Sequence, residues 1–300
     1  MKRLFFILAA FSVAVSSVNA QLLYKISCDG LEKPSYILGT YHLAPASFVD
    51  SIPGARAAFE AVGQVCGELD MMDMMSPGNV AKMQAAMMLP EGKSLKDMLT
   101  GDQMESLNGY MRDVLGVDLN NPMIEAQLGR MTPMAIMTQL QLVQFMKMTP
   151  GFDPNSVIDR YFQTEAGKAG KRILGFENVE FQLEVLYGTE LERQTEQLFC
   201  MIDNVEYNTG LMQRLTDAYF SQDIKSLLEI TEEKMGNSCD TTPEENDKLI
   251  YDRNADWADK IPAIIGEAPT LIVVGAAHLP GERGVLELLR AKGYAVEAVR

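Results

Sequence analysis

The sequence lacks the short motifs that mark several common enzyme classes. It contains no G-x-S-x-G nucleophile motif, no H-E-x-x-H zinc motif and no Walker-type loop. Nothing in it therefore indicates a serine hydrolase of the elbow type, a zincin or a P-loop nucleotide-binding protein. None of its four cysteines belongs to a C-x-x-C pair, which argues against thiolate metal sites and catalytic thiols.

Positive charge is also scarce. The chain has 26 lysines and arginines against 41 aspartates and glutamates, for a formal net charge of −15. An acidic surface repels phosphate backbones and anionic lipid headgroups. The composition therefore argues against nucleic acid as a partner and against binding to anionic membrane surfaces.

The longest apolar run lies at the N-terminus. Residues 1–20 begin with Lys2 and Arg3, continue with an apolar block over residues 4–15 and end in Val18-Asn19-Ala20. This order is typical of a secretory signal peptide, so we predict cleavage after Ala20 and export to the periplasm or the extracellular space. The apolar block is too short to span a bilayer and no later stretch qualifies, so we predict no integral membrane segment after cleavage.

The cysteines are even in number, and an exported chain of that kind can form disulfides. Cys200 and Cys239 flank one predicted helical segment, so we predict that these two pair. Cys28 and Cys66 lie beside predicted strands and are the candidates for a second pair.

Two matched stretches near opposite ends of the chain carry its only two histidines. They are Ile37-Leu38-Gly39-Thr40-Tyr41-His42-Leu43 and Val273-Val274-Gly275-Ala276-Ala277-His278-Leu279. An apolar, β-branched run bounded by Gly is typical of a strand buried on both faces, and Gly allows a sharp turn or a close approach where the strand ends. Ligands of open α/β sheets bind beyond the carboxyl ends of strands. We therefore predict that His42 and His278 meet at one site.

Short apolar segments alternate with helical blocks along the chain. The predicted strands cover about 22–27, 35–38, 64–69, 172–177, 271–274 and 295–299, the first two forming a hairpin. Met, Leu and Ala recur at three- and four-residue spacing from about 75 to 170 and again from about 179 to 263, which predicts helices. The pattern predicts an α/β fold with a central mixed sheet and helices around it. Residues 21–300 would form a single domain, and the block at about 75–170 a large α-helical insertion, or cap.

Carboxylates follow two of the predicted strands, at Glu68 and Glu177. Catalytic metal centres usually combine three protein ligands with an open position, so His42 and His278 need a carboxylate partner, and either glutamate fits. Two histidines with one or two carboxylates suit zinc, manganese, iron or cobalt, and such a metal activates bound water. The second carboxylate would act as general base. Arg253, on a predicted helix before the last sheet segment, is the candidate to stabilise a developing oxyanion.

These residues resemble those of the TraB/PrgY/GumN family, which includes the TIKI metalloproteases. The shared features are the two Gly-x-x-His motifs at 39–42 and 275–278, Glu68 after the intervening strand, a G-x-E-x-x-x-x-Q segment at 175–182, and the Arg253-Asn254 pair. The resemblance spans nearly the whole predicted mature chain. The helical insertion carries little of it.

The resemblance implies a divalent-metal-dependent hydrolase that cleaves peptide bonds in a peptide or protein substrate. Its metal would be manganese or cobalt. Carried over position by position, His42 and His278 would bind the metal or act in catalysis, and Glu68 would be their carboxylate partner. Arg253 and Glu177 would be further site residues.

Two other functions stay open. The wider superfamily also contains erythromycin-esterase-like hydrolases, thought to use histidine without an essential metal, and ChaN-like proteins that bind haem. In the first case one histidine would act as general base on water while the carboxylates orient it. In the second the chain would be a periplasmic haem- or metal-binding protein without turnover. The sequence gives no prediction of the oligomeric state.

Overall fold

The computed structural model describes residues 21–300. The predicted signal peptide, residues 1–20, lies outside the described residues. Among the helices formed by residues 21–300, none combines the length and the apolar character needed to cross a membrane.

One mixed sheet lies at the centre of the described chain. Its strands are β1 (Leu23–Ser27), β2 (Ser35–Thr40), β3 (Gln64–Gly67), β4 (Arg172–Gly175), β5 (Thr270–Gly275) and β6 (Ala295–Ala298). Their order across the sheet is β4-β3-β5-β2-β1-β6. β4, β3, β5 and β2 run parallel, whereas β1 pairs antiparallel with β2 and with β6. The predicted α/β class with a mixed central sheet is therefore confirmed, and so is the opening hairpin.

The two Gly-x-x-His segments continue from the two middle strands, β2 and β5. Ile37, Leu38 and Ile272 in these strands are fully buried, as expected for apolar strands covered on both faces. Thr40 lies opposite Gly275 in the register. Both strands consequently end at the same edge of the sheet, and the segments that follow them emerge side by side.

Helices occupy most of the remaining chain. They are α1 (Ala55–Ala61), α2 (Met71–Met74), α3 (Pro77–Ala86), α4 (Leu95–Met98), α5 (Gly101–Leu115), α6 (Pro122–Leu128), α7 (Pro133–Met148), α8 (Ile158–Lys168), α9 (Val179–Tyr187), α10 (Leu191–Asp203), α11 (Val205–Phe220), α12 (Ile224–Thr231), α13 (Pro243–Asn246), α14 (Asp252–Glu267) and α15 (Val285–Ala291). Short 3₁₀ turns cover Ala46–Ser51 and Ala276–His278, and a π-helical turn, Asp247–Tyr251, leads into α14.

The helices divide between two hydrophobic cores. α2 to α7 lie between β3 and β4 in the sequence, and all of them except α2 fall within the stretch predicted as an insertion. Residues such as Leu107 and Leu140 form a core apart from that of the sheet. Leu198 of α10 joins this second core, so it extends beyond the predicted insertion. α8 falls within the predicted insertion but packs Phe162 into the core of the sheet instead. The reason is local, since α8 directly precedes β4 and lies across β3 and β4.

The structure contains the predicted disulfide between Cys200 and Cys239, with a Cα–Cα distance of 5.5 Å. The second predicted pair is wrong, because Cys28 and Cys66 carry free thiols. Cys66 lies in β3, and β5 and β2 separate that strand from β1, which Cys28 follows. Three strand spacings amount to about 14 Å, whereas bonded cysteines have Cα atoms within about 7 Å of each other. Burial raises the pKa of the Cys66 thiol to about 12, as expected for a thiol that packs in the core.

Gly39 is required where β2 meets the turn after β5. A Cβ atom at this position would lie 2.9 Å from the Cα of Ala276 and 2.8 Å from Cδ1 of Leu279. Both neighbours belong to the segment that carries His278. The absence of a side chain at Gly39 thus lets the two Gly-x-x-His segments pack directly on each other.

Substituting Gly39 by Ala tests this packing. We expect Gly39→Ala to lower the free energy of unfolding by about 1–3 kcal/mol, because the added methyl overpacks a buried contact with backbone. The matched control is Gly210→Ala in α11, where a Cβ meets no atom within 4 Å. Helix propensity there predicts a gain of about 0.5–1 kcal/mol. Urea unfolding midpoints measure both, and equal stability of the two variants would contradict the close approach at Gly39.

Candidate active site

A cavity of about 300 Å³ lies at the carboxyl ends of the parallel strands. Four of the five predicted site residues line it, namely His42, Glu68, Arg253 and His278. The predicted meeting of the two histidines is thus present in the structure. Glu177, the fifth, does not line the cavity and lies behind Arg253.

Arg253 is the centre of a buried ion-pair cluster. Its Nε and Nη2 atoms donate to the two carboxylate oxygens of Glu177 at 2.7 and 3.0 Å, and Nη2 also donates to Oε2 of Glu68 at 2.5 Å. The side chains of Arg253 and Glu177 are 6% and 2% exposed. Trp257 Nε1 donates a further hydrogen bond of 2.9 Å to Glu177. A buried charge is tolerable only when it is paired and hydrogen-bonded, and this cluster meets that condition.

This arrangement changes the role expected of Glu177. Both of its oxygens accept hydrogen bonds from Arg253, and one also accepts from Trp257. A general base must reach the proton it removes, whereas Glu177 is enclosed. The geometry therefore makes Glu177 a positioning residue for Arg253, and the sequence-based expectation of a general base does not fit.

Glu68 holds a carboxylate at the wall of the cavity. Its Oε1 accepts the backbone N–H of Gly275 at 2.8 Å, and its Oε2 accepts from Arg253 and, at 3.2 Å, from Gln182 Nε2. Burial acts to raise the pKa of Glu68, but the charges of Arg253 and His42 and the hydrogen bond from the Gly275 amide lower it below the ordinary value. Glu68 is therefore ionised at neutral pH.

His278 is buried, and its neighbours fix its tautomer. Asn254 Nδ2 donates to the backbone oxygen of Arg283 at 2.9 Å, which leaves Oδ1 of Asn254 facing Nδ1 of His278 at 2.7 Å. An amide oxygen only accepts, so Nδ1 carries the proton and Nε2 keeps its lone pair. That lone pair faces Arg253 Nη1 at 3.3 Å. Burial lowers the pKa of His278 to about 4, against the opposing charge of Glu68, so the ring is neutral at neutral pH.

His42 has the opposite environment. Its side chain is 78% exposed, and its Nδ1 lies 3.3 Å from Oδ2 of Asp159. The other oxygen of Asp159 accepts a hydrogen bond of 2.5 Å from the hydroxyl of Thr40. The charge of Asp159 raises the pKa of His42 to about 9. The two imidazoles of the cavity thus differ in charge at neutral pH.

Asp159 is the site residue that sequence reasoning missed. It occupies the first turn of α8, where an acidic side chain is common because it complements the helix dipole. A local explanation was therefore available, and no strand or motif pointed to the residue. Asn254 and Gln182, by contrast, lie within segments already singled out in the sequence.

The donor types of the cavity fit a divalent transition metal. Two imidazoles and an ionised carboxylate line it, a set that suits such ions. Each imidazole has its Nδ1 beside an amide or carboxylate oxygen, the usual support of a metal-bound histidine. No three histidine, cysteine, aspartate or glutamate side chains within residues 21–300 stand together as a metal cluster. In the present arrangement Arg253 is the cation that neutralises Glu68.

Comparison with known proteins gives a family and a set of distant relatives. A sequence model of the TraB/PrgY/gumN family matches residues 22–298. Metalloprotease TIKI2 of Danio rerio is 24% identical over 308 residues, covering 88% of this chain and 58% of the relative. Metalloprotease TIKI1 of Homo sapiens is 26% identical, with coverages of 89% and 60%. The chain spans about three fifths of the length of these curated relatives. No solved structure matches this chain significantly.

Removal of the Arg253 charge should destabilise the fold. In Arg253→Met the carboxylates of Glu68 and Glu177 stay buried without their cation, and the expected loss is about 3–5 kcal/mol. The matched control is Arg214→Met, which breaks a two-bonded pair with Glu233 whose side chains are 46% and 36% exposed. An exposed pair of that kind contributes less than about 1 kcal/mol. Denaturant unfolding distinguishes the two, and similar losses would contradict the burial argument.

Proposed function

This chain belongs to the TraB/PrgY/gumN family, and on that premise we propose that it is a metal-dependent hydrolase that cleaves peptide bonds. One observation carries the proposal: both histidines of the chain and the ionised Glu68 line a single cavity. The relatives described above are named metalloproteases, which supports the reaction class. We also propose export of the chain, supported by the Cys200–Cys239 disulfide, since disulfides persist in oxidising compartments.

His42, His278 and Glu68 would hold the metal. Family resemblance favours manganese or cobalt, and the same donor types also suit zinc or iron. When bound, the metal would polarise the scissile carbonyl and lower the pKa of a water molecule.

The surrounding residues would orient the two histidines and stabilise negative charge on the substrate. Asn254 holds the His278 ring in the Nδ1–H tautomer, and Asp159 orients His42. Arg253 lines the cavity and would stabilise, through its positive charge, the negative charge that develops on the substrate oxygen. Its N–H groups are engaged by Glu177, Glu68, Leu249 and His278, which fix the guanidinium in place. A preformed charge of this kind stabilises a transition state without reorganising.

A second candidate is the same hydrolysis without a metal. The pairing of His42 with the Asp159 carboxylate favours it, because carboxylates commonly orient catalytic histidines. Since the pKa of His42 is raised to about 9, cleavage by this mechanism would increase as the pH rises toward 9. The two candidates differ in their response to chelators. Haem binding stays a prediction from the sequence.

Metal content and peptide cleavage test the proposal together. After loading with manganese and removal of free ion, the purified protein should hold about one metal per chain, and each of His42→Ala and His278→Ala should lose it. Cleavage of a mixed peptide library should fall by about 10³-fold in both variants, while Met123→Ala, an exposed position, should match wild type. Cleavage that survives chelation but not His42→Ala would select the metal-free mechanism. If His42→Ala kept both its metal and its cleavage activity, the metal-dependent and the metal-free mechanism would both be excluded.

A further inference from the structure

The active-site cavity has both polar and apolar lining residues. Besides Glu68, Arg253 and His278, it is lined by six aliphatic side chains, which are Val185, Leu186, Leu215, Leu227, Leu249 and Ile250. Leu186 and Leu249 remain 45% and 37% exposed. An apolar wall that stays open to solvent is a candidate binding surface for an apolar group.

A second cavity, of about 530 Å³, also has His42 in its lining. The two cavities share Tyr41, His42 and Leu215. The lining beyond this boundary is mostly apolar and includes Leu142, Phe152, Met201, Leu211 and Met212. Both volumes fall within or at the lower limit of the range of about 300–1,000 Å³ that is typical of ligand sites. A chain bound at His42 would therefore have two largely apolar recesses within reach.

Aspartate, glutamate, lysine and arginine are nearly absent from both linings. The second cavity is lined by no aspartate, glutamate, lysine or arginine among the described residues. In the first, Glu68 and Arg253 are the charged groups of this kind, and they pair with each other. His42 lines both cavities and can carry only a positive charge. A positively charged substrate side chain would therefore lose hydration there without gaining a partner, at a cost of several kcal/mol.

The second cavity does offer a polar contact for a peptide backbone. The side-chain amide of Gln141 lines it and makes no hydrogen bond with any other described residue. The amides of Gln144 and Asn208, which also line it, are already bonded within the protein. An extended peptide can use such a free amide, because each of its residues has one backbone donor and one acceptor.

We infer that the substrate is a polypeptide segment with apolar side chains on both sides of the bond that is cut. This inference rests on the proposed hydrolase function. The bond lies at His42, one neighbouring side chain enters each cavity, and Leu215 is the shared wall that sets the apolar preference. Leu215 acts as a specificity-determining residue and takes no part in the chemistry.

Binding of two matched peptides tests this inference without requiring cleavage. The probes are fluorescein-labelled eight-residue peptides of alanine and serine that differ only in the central pair, Leu-Leu or Lys-Lys. Anisotropy is measured on the whole protein with chelator present, and the peptides are checked for integrity by mass spectrometry. We expect the Leu-Leu peptide to bind about tenfold or more tightly.

Variants at Leu215 test whether this residue sets the preference for apolar side chains. Leu215→Lys should abolish the preference, and it should strengthen binding of a third peptide with central Asp-Asp. Met123→Lys adds the same charge at a side chain that is 72% exposed and should leave the preference unchanged. If Leu215→Lys fails to fold, Leu215→Ala serves instead and should weaken Leu-Leu binding about tenfold or more by leaving a void. An unchanged preference in these variants would overturn the inference.

The inference and the proposed function fail in different ways. Tight, Leu215-dependent binding of Leu-Leu without cleavage under any metal condition supports the inference and counts against the hydrolase. Cleavage of Leu-Leu and Lys-Lys peptides with equal efficiency overturns the inference and leaves the hydrolase intact. Absence of any binding preference, with or without cleavage, also overturns the inference.

Discussion

The site depends first on the guanidinium of Arg253. It joins side chains that follow three different strands: Glu68 after β3, Glu177 after β4 and His278 after β5. Two carboxylates at neighbouring strand ends would repel each other without a cation between them. Arg253 supplies that charge from α14, so the position of this helix and the geometry of the site are fixed together. The rigid, planar fork of arginine suits this task better than lysine would.

A consequence of this cluster is that the two histidines are not equivalent. His278 is buried beside Arg253 and stays neutral, whereas His42 is exposed beside Asp159 and has a raised pKa. The pKa of His42 is higher in the folded chain than in the unfolded chain, so protonation of His42 stabilises the fold. This stabilisation is fully present at pH values below the pKa of the unfolded chain, and it is lost as pH rises toward about 9. The lowered pKa of His278 affects stability in the opposite direction. Below about pH 6.5 the unfolded state binds more protons than the folded state, so the free energy of unfolding falls as pH falls toward 4. The cavity therefore presents one charged and one neutral imidazole to a ligand at neutral pH.

Much of the fold could be predicted because strands and helices leave local patterns in the sequence. Apolar runs that end in Gly identified the central strands, and the rule that ligands bind beyond strand ends brought His42, His278 and Glu68 together. The interactions that could not be predicted join residues far apart in sequence. Asp159 reaches His42 from the first turn of α8, where an acidic residue needs no further explanation. The enclosure of Glu177 depends on the packing of Trp257 and Arg253 over it, which no spacing reveals.

The most direct test of this account is to measure the charge states of the two imidazoles. The chain has only two histidines, so ¹⁵N NMR can follow both rings. The variant His42→Ala assigns the two sets of signals. In metal-free protein, His278 should be neutral with its proton on Nδ1 and should remain so down to about pH 4. His42 should stay protonated until about pH 9. Titration of both rings near the ordinary value of about 6.5, or a proton on Nε2 of His278, would contradict the arrangement.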